Sequence, residues 1–188
     1  MDRIAWVFGY GSLMWDPGFD PEESVRARLE GYARSFCLLS VEHRGTRDRP
    51  GLVLGLDATP GGHCSGLALR IPAGEHDRII ADLRARELVT AAYAEAQVFL
   101  RLEDGRQERA LAYVIRHDHP QYAGGLTAPE QARIIAGARG GRGPNADYLF
   151  NTARHLAQIG LADDSMDELS DAVRRILSDG APDGGAAH

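Results

Sequence analysis

The chain has 188 residues, of which 44% are hydrophobic and 26% charged, the proportions of an ordinary folded domain. Its formal net charge is −6, from 21 basic and 27 acidic residues, so neither nucleic acid nor an acidic membrane surface is a favoured partner. All 21 basic residues are arginines, and the missing lysine excludes a Walker-type phosphate loop and Schiff-base chemistry. Any substrate carboxylate must therefore bind arginine, hydroxyl or backbone N–H groups.

The cysteines and the N-terminus indicate the compartment. Cys37 and Cys64 lie far apart without CxxC spacing, which is typical of buried thiols in a reducing compartment, although one disulfide is also compatible with it. No apolar run approaches the roughly 20 residues of a membrane span. The N-terminus lacks the basic start and the long apolar segment of a signal peptide. The sequence thus predicts a soluble cytoplasmic protein.

Hydrophobic periodicity predicts seven short strands with one interposed helix, followed by a helical C-terminal part. The predicted strands are residues 4–8, 25–29, 35–41, 52–54, 67–71, 96–102 and 110–116. The predicted helices are residues 73–90, 127–139, 145–159 and 165–177. Thr127, Pro129 and Glu130 form the capping pattern of a helix start. This order predicts an α+β fold with a single domain over residues 1–178, followed by a disordered tail over 179–188.

A glycine loop, residues 9–14 (GYGSLM), follows the first predicted strand. It begins like a dinucleotide-binding fingerprint, but Met14 occupies the third glycine position and residues 15–18 (WDPG) predict a turn instead of a helix. A Rossmann site is therefore disfavoured. Two interpretations remain open: a loop that presents consecutive backbone N–H groups to a carboxylate or an oxyanion, or a simple bend that leaves the strand.

One carboxylate lies on the apolar face of the helix predicted over residues 73–90. That face is marked by Ile79, Ile80 and Leu83. Glu87 follows these residues by eight, seven and four positions, which places it on the same face. Burial there would raise its pKa toward the range of a general base near neutral pH. The alternative is a helix-end glutamate that pairs with Arg84 or Arg86.

Other polar residues allow weaker predictions. Arg44, in the segment HRGT (43–46), could anchor a substrate carboxylate or could be a surface residue of a polar turn. Tyr148 could line a pocket, although tyrosines at such spacings more often fill a core. His117 and His119 are metal-type ligands, but without a clear third ligand they are weak evidence, and we expect no metal.

Together these segments resemble the ChaC-like γ-glutamylcyclotransferase family. The matching segments follow the family's order: VFGYGSLMW (7–15), RSFC (34–37), HRGT (43–46), RPGLVLGL (49–56), RELVT (86–90), HPQYAG (119–124) and GPNADYL (143–149). The glycine loop alone is short and is shared with wider relatives. Its combination with RELVT and GPNADYL is specific.

The resemblance implies a small mixed β-barrel with flanking helices and a pocket at the barrel mouth. It also implies a small-molecule substrate, glutathione, cleaved to 5-oxoproline and cysteinylglycine without a cofactor. The positions that it marks as substrate-binding are Tyr10, Gly11, Ser12 and Leu13. Glu87 corresponds to the family's catalytic glutamate, while Arg44 and Tyr148 match motif positions that could line the pocket.

In the implied reaction the substrate's α-amine attacks its own γ-carbonyl, and Glu87 carries a proton from that amine to the departing one. The loop N–H groups would hold the substrate carboxylate or the tetrahedral oxyanion. Two alternatives stay open. One is the same chemistry on another γ-glutamyl amine or amino acid; the other is a non-enzymatic binding module, which would have no need of a buried carboxylate base.

Overall fold

The structure, a computed structural model, describes residues 3–88 and 90–179. The strands are β1 (Trp6–Gly9), β2 (Glu23–Ser40), β3 (Gly51–Arg70), β4 (Tyr93–Leu102), β5 (Gln107–Ile115), β6 (Arg139–Gly140) and β7 (Gly143–Pro144). The α-helices are α1 (His76–Glu87), α2 (Ala128–Gly137), α3 (Asn145–Gln158) and α4 (Asp164–Asp179). The described residues form two compact units, one from residues 3–38 and 54–124 and the other from residues 39–53 and 125–179. The single domain over residues 1–178 stays a prediction.

Five strands close into a barrel in the order β1-β3-β2-β4-β5. β1 runs antiparallel to β3, with Trp6 opposite Arg70, and parallel to β5, with Trp6 opposite Ala110. β4 and β5 form an antiparallel hairpin from Tyr93 opposite Ile115 to Arg101 opposite Gln107. A closed barrel leaves no strand edge unpaired. The predicted α+β class with a small mixed barrel is confirmed.

Two pairs of predicted strands are continuous in the structure. The segments predicted over 25–29 and 35–41 fall in β2, which is 18 residues long and ends at Ser40. Those predicted over 52–54 and 67–71 fall in β3, which is 20 residues long and ends at Arg70. Residues 60–62 (PGG) lie inside β3, where Gly61 has a φ of 75°, a conformation that favours glycine. The sequence pattern did not detect this continuity because exposed polar residues interrupt the apolar runs.

Side chains on both faces of β1 are buried, and the two faces belong to two different hydrophobic clusters. Trp6, Phe8 and Tyr10 belong to a cluster lining the barrel interior, together with Leu56 and Leu100. Val7 points the opposite way, into a cluster that joins the outer barrel wall to α1. Its other members are Leu13, Ile71, Ile79, Ile80, Leu83, Leu111 and Tyr113. Burial of each large aliphatic side chain contributes about 1.5–3 kcal/mol. This second cluster holds the α1 end carrying Glu87 against the strand that leads into the glycine loop.

The second unit is mainly helical. Its buried apolar residues include Ile135, Leu149, Leu156, Met166, Leu169 and Val173. The Thr127–Glu130 capping box is present, and the Thr127 backbone N–H donates to the Glu130 carboxylate at 2.8 Å. The predicted break after α2 is the two-stranded β6–β7 ladder.

The helix ends differ modestly from those predicted. The helix predicted over 73–90 begins as one 3-10 turn over Ala73–Glu75, and α1 ends at Glu87. α4 continues to Asp179, so the predicted tail begins inside the helix. The rest of that tail, residues 180–188, lies outside the described residues, as does Val89.

Candidate active site

The glycine loop leaves β1 and makes one 3-10 turn over Ser12–Met14. Leu13 and Met14 are buried and anchor the turn, whereas Ser12 is exposed. The turn is closed by a hydrogen bond from the Met14 N–H to the Gly11 carbonyl at 2.9 Å. No helix follows, so the loop is not a dinucleotide-binding turn.

The backbone N–H groups at the start of this turn have no intrahelical acceptor. Among the hydrogen bonds between described residues, none is donated by the N–H of Gly11, Ser12 or Leu13. A Cβ added to Gly11 would meet only Leu54 Cδ1, at 3.8 Å, so there is open space beside its Cα. Unpaired N–H groups beside open space are suited to binding an anionic group.

Arg34 of β2 supports this loop from within the barrel unit. Its side chain is buried, and Nε donates to the Tyr10 carbonyl at 2.6 Å. Nη2 donates to the Ser65 carbonyl of β3, also at 2.6 Å. β1 and β3 approach each other closely nearby, because a Cβ on Gly66 would lie 2.3 Å from the Gly9 carbonyl oxygen. Sequence reasoning used Arg34 only as part of a family motif and missed its contact with the loop.

Glu87 is the last residue of α1, and only 19% of its side chain is exposed. Burial raises the pKa of Glu87, and the neighbouring positive charge of Arg86 partly opposes that rise. The nearest ion-pair contact is between Arg86 Nε and Glu87 Oε1 at 3.3 Å. Both earlier interpretations of Glu87 therefore apply in part: it is desolvated and it pairs with Arg86.

Arg86 also connects Glu87 with the glycine loop. Its Nη2 donates to Ser12 Oγ at 3.0 Å and its Nη1 to the Asp16 carbonyl at 2.8 Å. The other alternative partner, Arg84, pairs with both oxygens of Glu95 at 2.7 and 2.8 Å. The structure thus places the loop residues and Glu87 in the same unit, joined through Arg86.

Arg44 and Tyr148 lie together in the second unit. The Arg44 guanidinium carbon is 5.3 Å from the centroid of the Tyr148 ring, a cation–π contact. Arg44 Nη1 donates to the carbonyls of Arg142 at 2.7 Å and Pro144 at 3.3 Å. Arg44 therefore holds the β6–β7 turn, a structural role that the sequence did not indicate.

The motif GPNADYL contains a structural amide. Asn145 is fully buried, and its side chain both accepts from the Leu52 N–H and donates to the Leu52 carbonyl, each at 2.7 Å. The amide acts as one rung of a β-ladder and satisfies both backbone groups of Leu52. Asn145 of this motif therefore has a role in folding.

The histidine pair has separate partners. His117 Nε2 lies 2.5 Å from Asp57 Oδ1, and its ring stacks on Tyr122 at a centroid distance of 4.5 Å. His119 Nδ1 accepts from the Gln121 N–H at 3.2 Å, and Asp118 pairs with Arg116. Among the described residues no group of three side chains of metal-binding type is close enough to hold an ion.

Cys37 and Cys64 are buried, as predicted, and they form no disulfide bond. Burial, with a smaller contribution from the charge of Asp57, raises the pKa of Cys37 to about 12. A thiol with so high a pKa is protonated near neutral pH and is a poor nucleophile.

A separate concavity lies beside the start of β1, away from the glycine loop that follows its end. Its volume is about 390 Å³, and its lining includes Trp6 and four arginines, Arg3, Arg70, Arg106 and Arg109. Acidic partners already neutralise three of them: Asp77 pairs with Arg3, Glu22 with Arg70, and Glu23 with Arg106. The concavity is therefore a poorer anion site than its arginine content suggests.

The fold is that of known γ-glutamylcyclotransferase structures. A crystal structure of the glutathione-specific γ-glutamyl cyclotransferase from yeast superposes with a TM-score of 0.79 at 24% identity, covering 93% of this chain and 100% of that one. The sequence matches the ChaC-like protein family over residues 5–176, and the chain belongs to this family.

Curated relatives agree with this assignment. The glutathione-specific gamma-glutamylcyclotransferase of Escherichia coli K12 is 37% identical over 180 residues, 96% of this chain and 77% of that protein. The human glutathione-specific gamma-glutamylcyclotransferase 1 is 33% identical over 182 residues, 93% of this chain and 81% of its own length.

None of the helices in the described residues is both long enough and apolar enough to cross a membrane.

Proposed function

We propose that this chain is a γ-glutamylcyclotransferase that cleaves glutathione into 5-oxoproline and cysteinylglycine. The observation that carries the proposal is its membership of the ChaC-like family, together with relatives at 33–37% identity that are named glutathione-specific γ-glutamylcyclotransferases. The substrate is accordingly a small molecule. A cytoplasmic location is part of the proposal, because cysteines without a disulfide bond, such as Cys37 and Cys64, are typical of a reducing compartment.

The substrate carries its own nucleophile. The α-amine of the γ-glutamyl group forms a bond to the γ-carbonyl carbon and closes a five-membered lactam, after which the bond to the cysteinyl nitrogen breaks. At neutral pH this amine is mostly an ammonium group and must lose a proton before it attacks. Holding the flexible γ-glutamyl arm in its folded conformation lowers the barrier by making the attack intramolecular and correctly oriented.

Glu87 is the proposed base that takes this proton and then gives it to the departing amine. Its burial supports the role, since a raised pKa brings a carboxylate closer to the operating pH. The positive charge of Arg86, 3.3 Å from the carboxylate, partly opposes this rise in the pKa. A positioned general acid–base contributes about 10²–10⁴-fold to the rate.

The glycine loop is the proposed anion-binding element. The N–H groups of Gly11, Ser12 and Leu13 are suited to hold the substrate carboxylate or the oxyanion of the tetrahedral intermediate. The buried Tyr10 supplies the carbonyl through which Arg34 supports the loop. Loss of one oxyanion donor typically costs about 10²–10³-fold in rate.

A secondary, substrate-binding role is proposed for Arg44 and Tyr148 of the second unit. Among the hydrogen bonds between described residues, Arg44 uses only Nη1 of its guanidinium, so Nη2 and Nε are available to a carboxylate. Stacking on Tyr148 fixes the plane of the guanidinium.

The test is incubation of the purified protein with glutathione, with release of 5-oxoproline followed by chromatography. Wild type should release the product, and Glu87→Gln should lose at least about 10²-fold in turnover because an amide cannot accept the proton. Glu168→Gln, an exposed change on α4, is the matched control and should retain full turnover.

The role of Glu87 and the choice of glutathione as substrate can each be rejected by a separate result. Full turnover in Glu87→Gln would remove Glu87 from the role of base while leaving the reaction intact. No product from wild type would reject glutathione as the substrate, and other γ-glutamyl amines and γ-glutamyl amino acids would then be assayed. Binding of these compounds without turnover would favour a binding module.

A further inference from the structure

Arg34 is a buried cation that donates hydrogen bonds to two backbone carbonyls. The residue is only 8% exposed, and its Nε and Nη2 donate to the carbonyls of Tyr10 and Ser65, each at 2.6 Å. Removing a guanidinium from water is costly unless its donors find acceptors. Each hydrogen bond from the guanidinium to a carbonyl offsets part of this cost. An apolar side chain of similar size would fill the same space without the desolvation penalty.

The contact with Tyr10 acts on the peptide unit that also contains the Gly11 N–H. The described residues contain no cis peptide bond, so this C=O and N–H point in opposite directions. A donor fixed on the carbonyl therefore fixes the direction of the N–H. Hydrogen bonding at one end of a peptide also polarises the other end, which strengthens the N–H as a donor by about 10–30%.

We propose that Arg34 is a positioning residue for the reaction. It orients the Tyr10–Gly11 peptide so that the Gly11 N–H is directed at the anionic group of the substrate or intermediate, and its buried positive charge adds to the attraction. The inference rests on the proposed function of the glycine loop. The competing explanation is that Arg34 only ties β2 to β3 through Ser65.

The two explanations differ in what substitution does to folded protein. Arg34→Met keeps the length of the side chain but removes the charge and all donors, so kcat/KM should fall by roughly 10²-fold, the loss seen when an oxyanion donor is removed. Arg34→Lys keeps the charge and one donor for the Tyr10 carbonyl, and should recover part of that loss even though a Lys ammonium cannot reproduce the fork of the guanidinium. Arg106→Met, a paired arginine beside the start of β1, is the matched control and should retain activity per folded molecule.

Two further measurements separate positioning from stability. Urea unfolding and circular dichroism give the folded fraction of each variant, and the loss of activity should exceed any loss of folded protein. The acidic limb of the pH profile of kcat/KM should stay in place in Arg34→Lys and Arg34→Met, because Arg34 acts on the loop and not on Glu87. If Arg34→Met does not fold, the proposal is tested by the same measurements on Arg34→Lys, which should lose activity without losing folded protein.

The proposal is overturned by activity within about twofold of wild type in Arg34→Met, or by a loss that equals the loss of folded protein. A shift of the acidic limb would also overturn it, since Arg34 would then act on the base. These outcomes are distinct from failure of the proposed function, in which wild type itself releases no 5-oxoproline.

Discussion

Arg86 donates a hydrogen bond to Ser12 Oγ at 3.0 Å, so a residue near the end of α1 is tied to the glycine loop that follows β1. The same guanidinium lies 3.3 Å from the carboxylate of Glu87. Its positive charge lowers the pKa of Glu87, against the larger effect of burial. One side chain therefore links the position of the loop with the protonation of the proposed base.

Arg86→Met should move the acidic limb of the pH profile of kcat/KM to higher pH. The charge that opposes protonation is lost while the burial of Glu87 remains, so the pKa of Glu87 rises further and the base is protonated over a wider range. The measurement is the initial rate of 5-oxoproline release at low substrate concentration across the acidic and neutral range. Arg78→Met, in the same helix but paired with Glu75 and Asp82, should leave the limb in place. An unmoved limb in Arg86→Met would show that the titrating base is another group.

Glu87→Gln should be more stable than wild type at neutral pH. Burial raises the folded-state pKa of Glu87 above its unfolded value, so the folded state binds this proton more tightly than the unfolded state does. Stability is therefore lost as the pH rises through the folded pKa, and the neutral amide avoids that loss. The gain should be full above the folded pKa and should shrink toward zero as the pH falls below the unfolded value. Urea unfolding on both sides of this range measures it.

Glu130→Gln is a control at a glutamate whose pKa is shifted in the opposite direction from that of Glu87. Hydrogen bonds from Thr127 lower the pKa of Glu130, so its contribution to stability is present above the unfolded pKa and is lost as the pH falls through the folded pKa. This variant should not gain stability at neutral pH. A gain in both variants would mean that removal of negative charge in general, and not the burial of Glu87, stabilises the protein.

Asn145→Ala should destabilise the protein by about 2–4 kcal/mol, because it leaves the buried N–H and C=O of Leu52 without their side-chain partner. Asn151→Ala lies in the same helix at an exposed position and should change stability by less than about 0.5 kcal/mol. Denaturant unfolding of the two variants gives the comparison. Equal stabilities would show that the Leu52 backbone finds other partners.

The sequence predicted the local features of this fold and site well. Alternation identified most strands, the capping box at Thr127 was confirmed, and helical spacing placed Glu87 on the partly buried face of α1. Each of these depends on residues within a few positions of one another. The resemblance to the ChaC-like family supplied the reaction, which spacing alone could not.

The supporting contacts could not be predicted because they join distant parts of the chain. Arg34 is 24 residues from Tyr10 and 31 from Ser65, and these meet only when the barrel closes. Asn145 is 93 residues from Leu52. In the sequence both are ordinary polar residues, and only the fold shows which carbonyl or N–H each satisfies.

Tyr113→Phe should leave stability unchanged or raise it slightly. Tyr113 is 1% exposed and packs in the cluster that contains Leu13, yet its buried hydroxyl makes no hydrogen bond to a described residue. Glu95 lies opposite it across β4 and β5, where its carboxylate accepts two hydrogen bonds from Arg84. An unsatisfied buried hydroxyl is destabilising, so phenylalanine removes a penalty without leaving a cavity.

Tyr93→Phe is the matched control, since the Tyr93 hydroxyl donates to the Leu54 carbonyl at 2.6 Å. Loss of that bond should cost about 0.5–1.5 kcal/mol. The urea midpoint of Tyr113→Phe should therefore equal or exceed that of wild type, while that of Tyr93→Phe should be lower. A loss in Tyr113→Phe as large as that in Tyr93→Phe would mean that the Tyr113 hydroxyl does donate to a carboxylate, with Glu95 and Glu87 as the neighbouring charges.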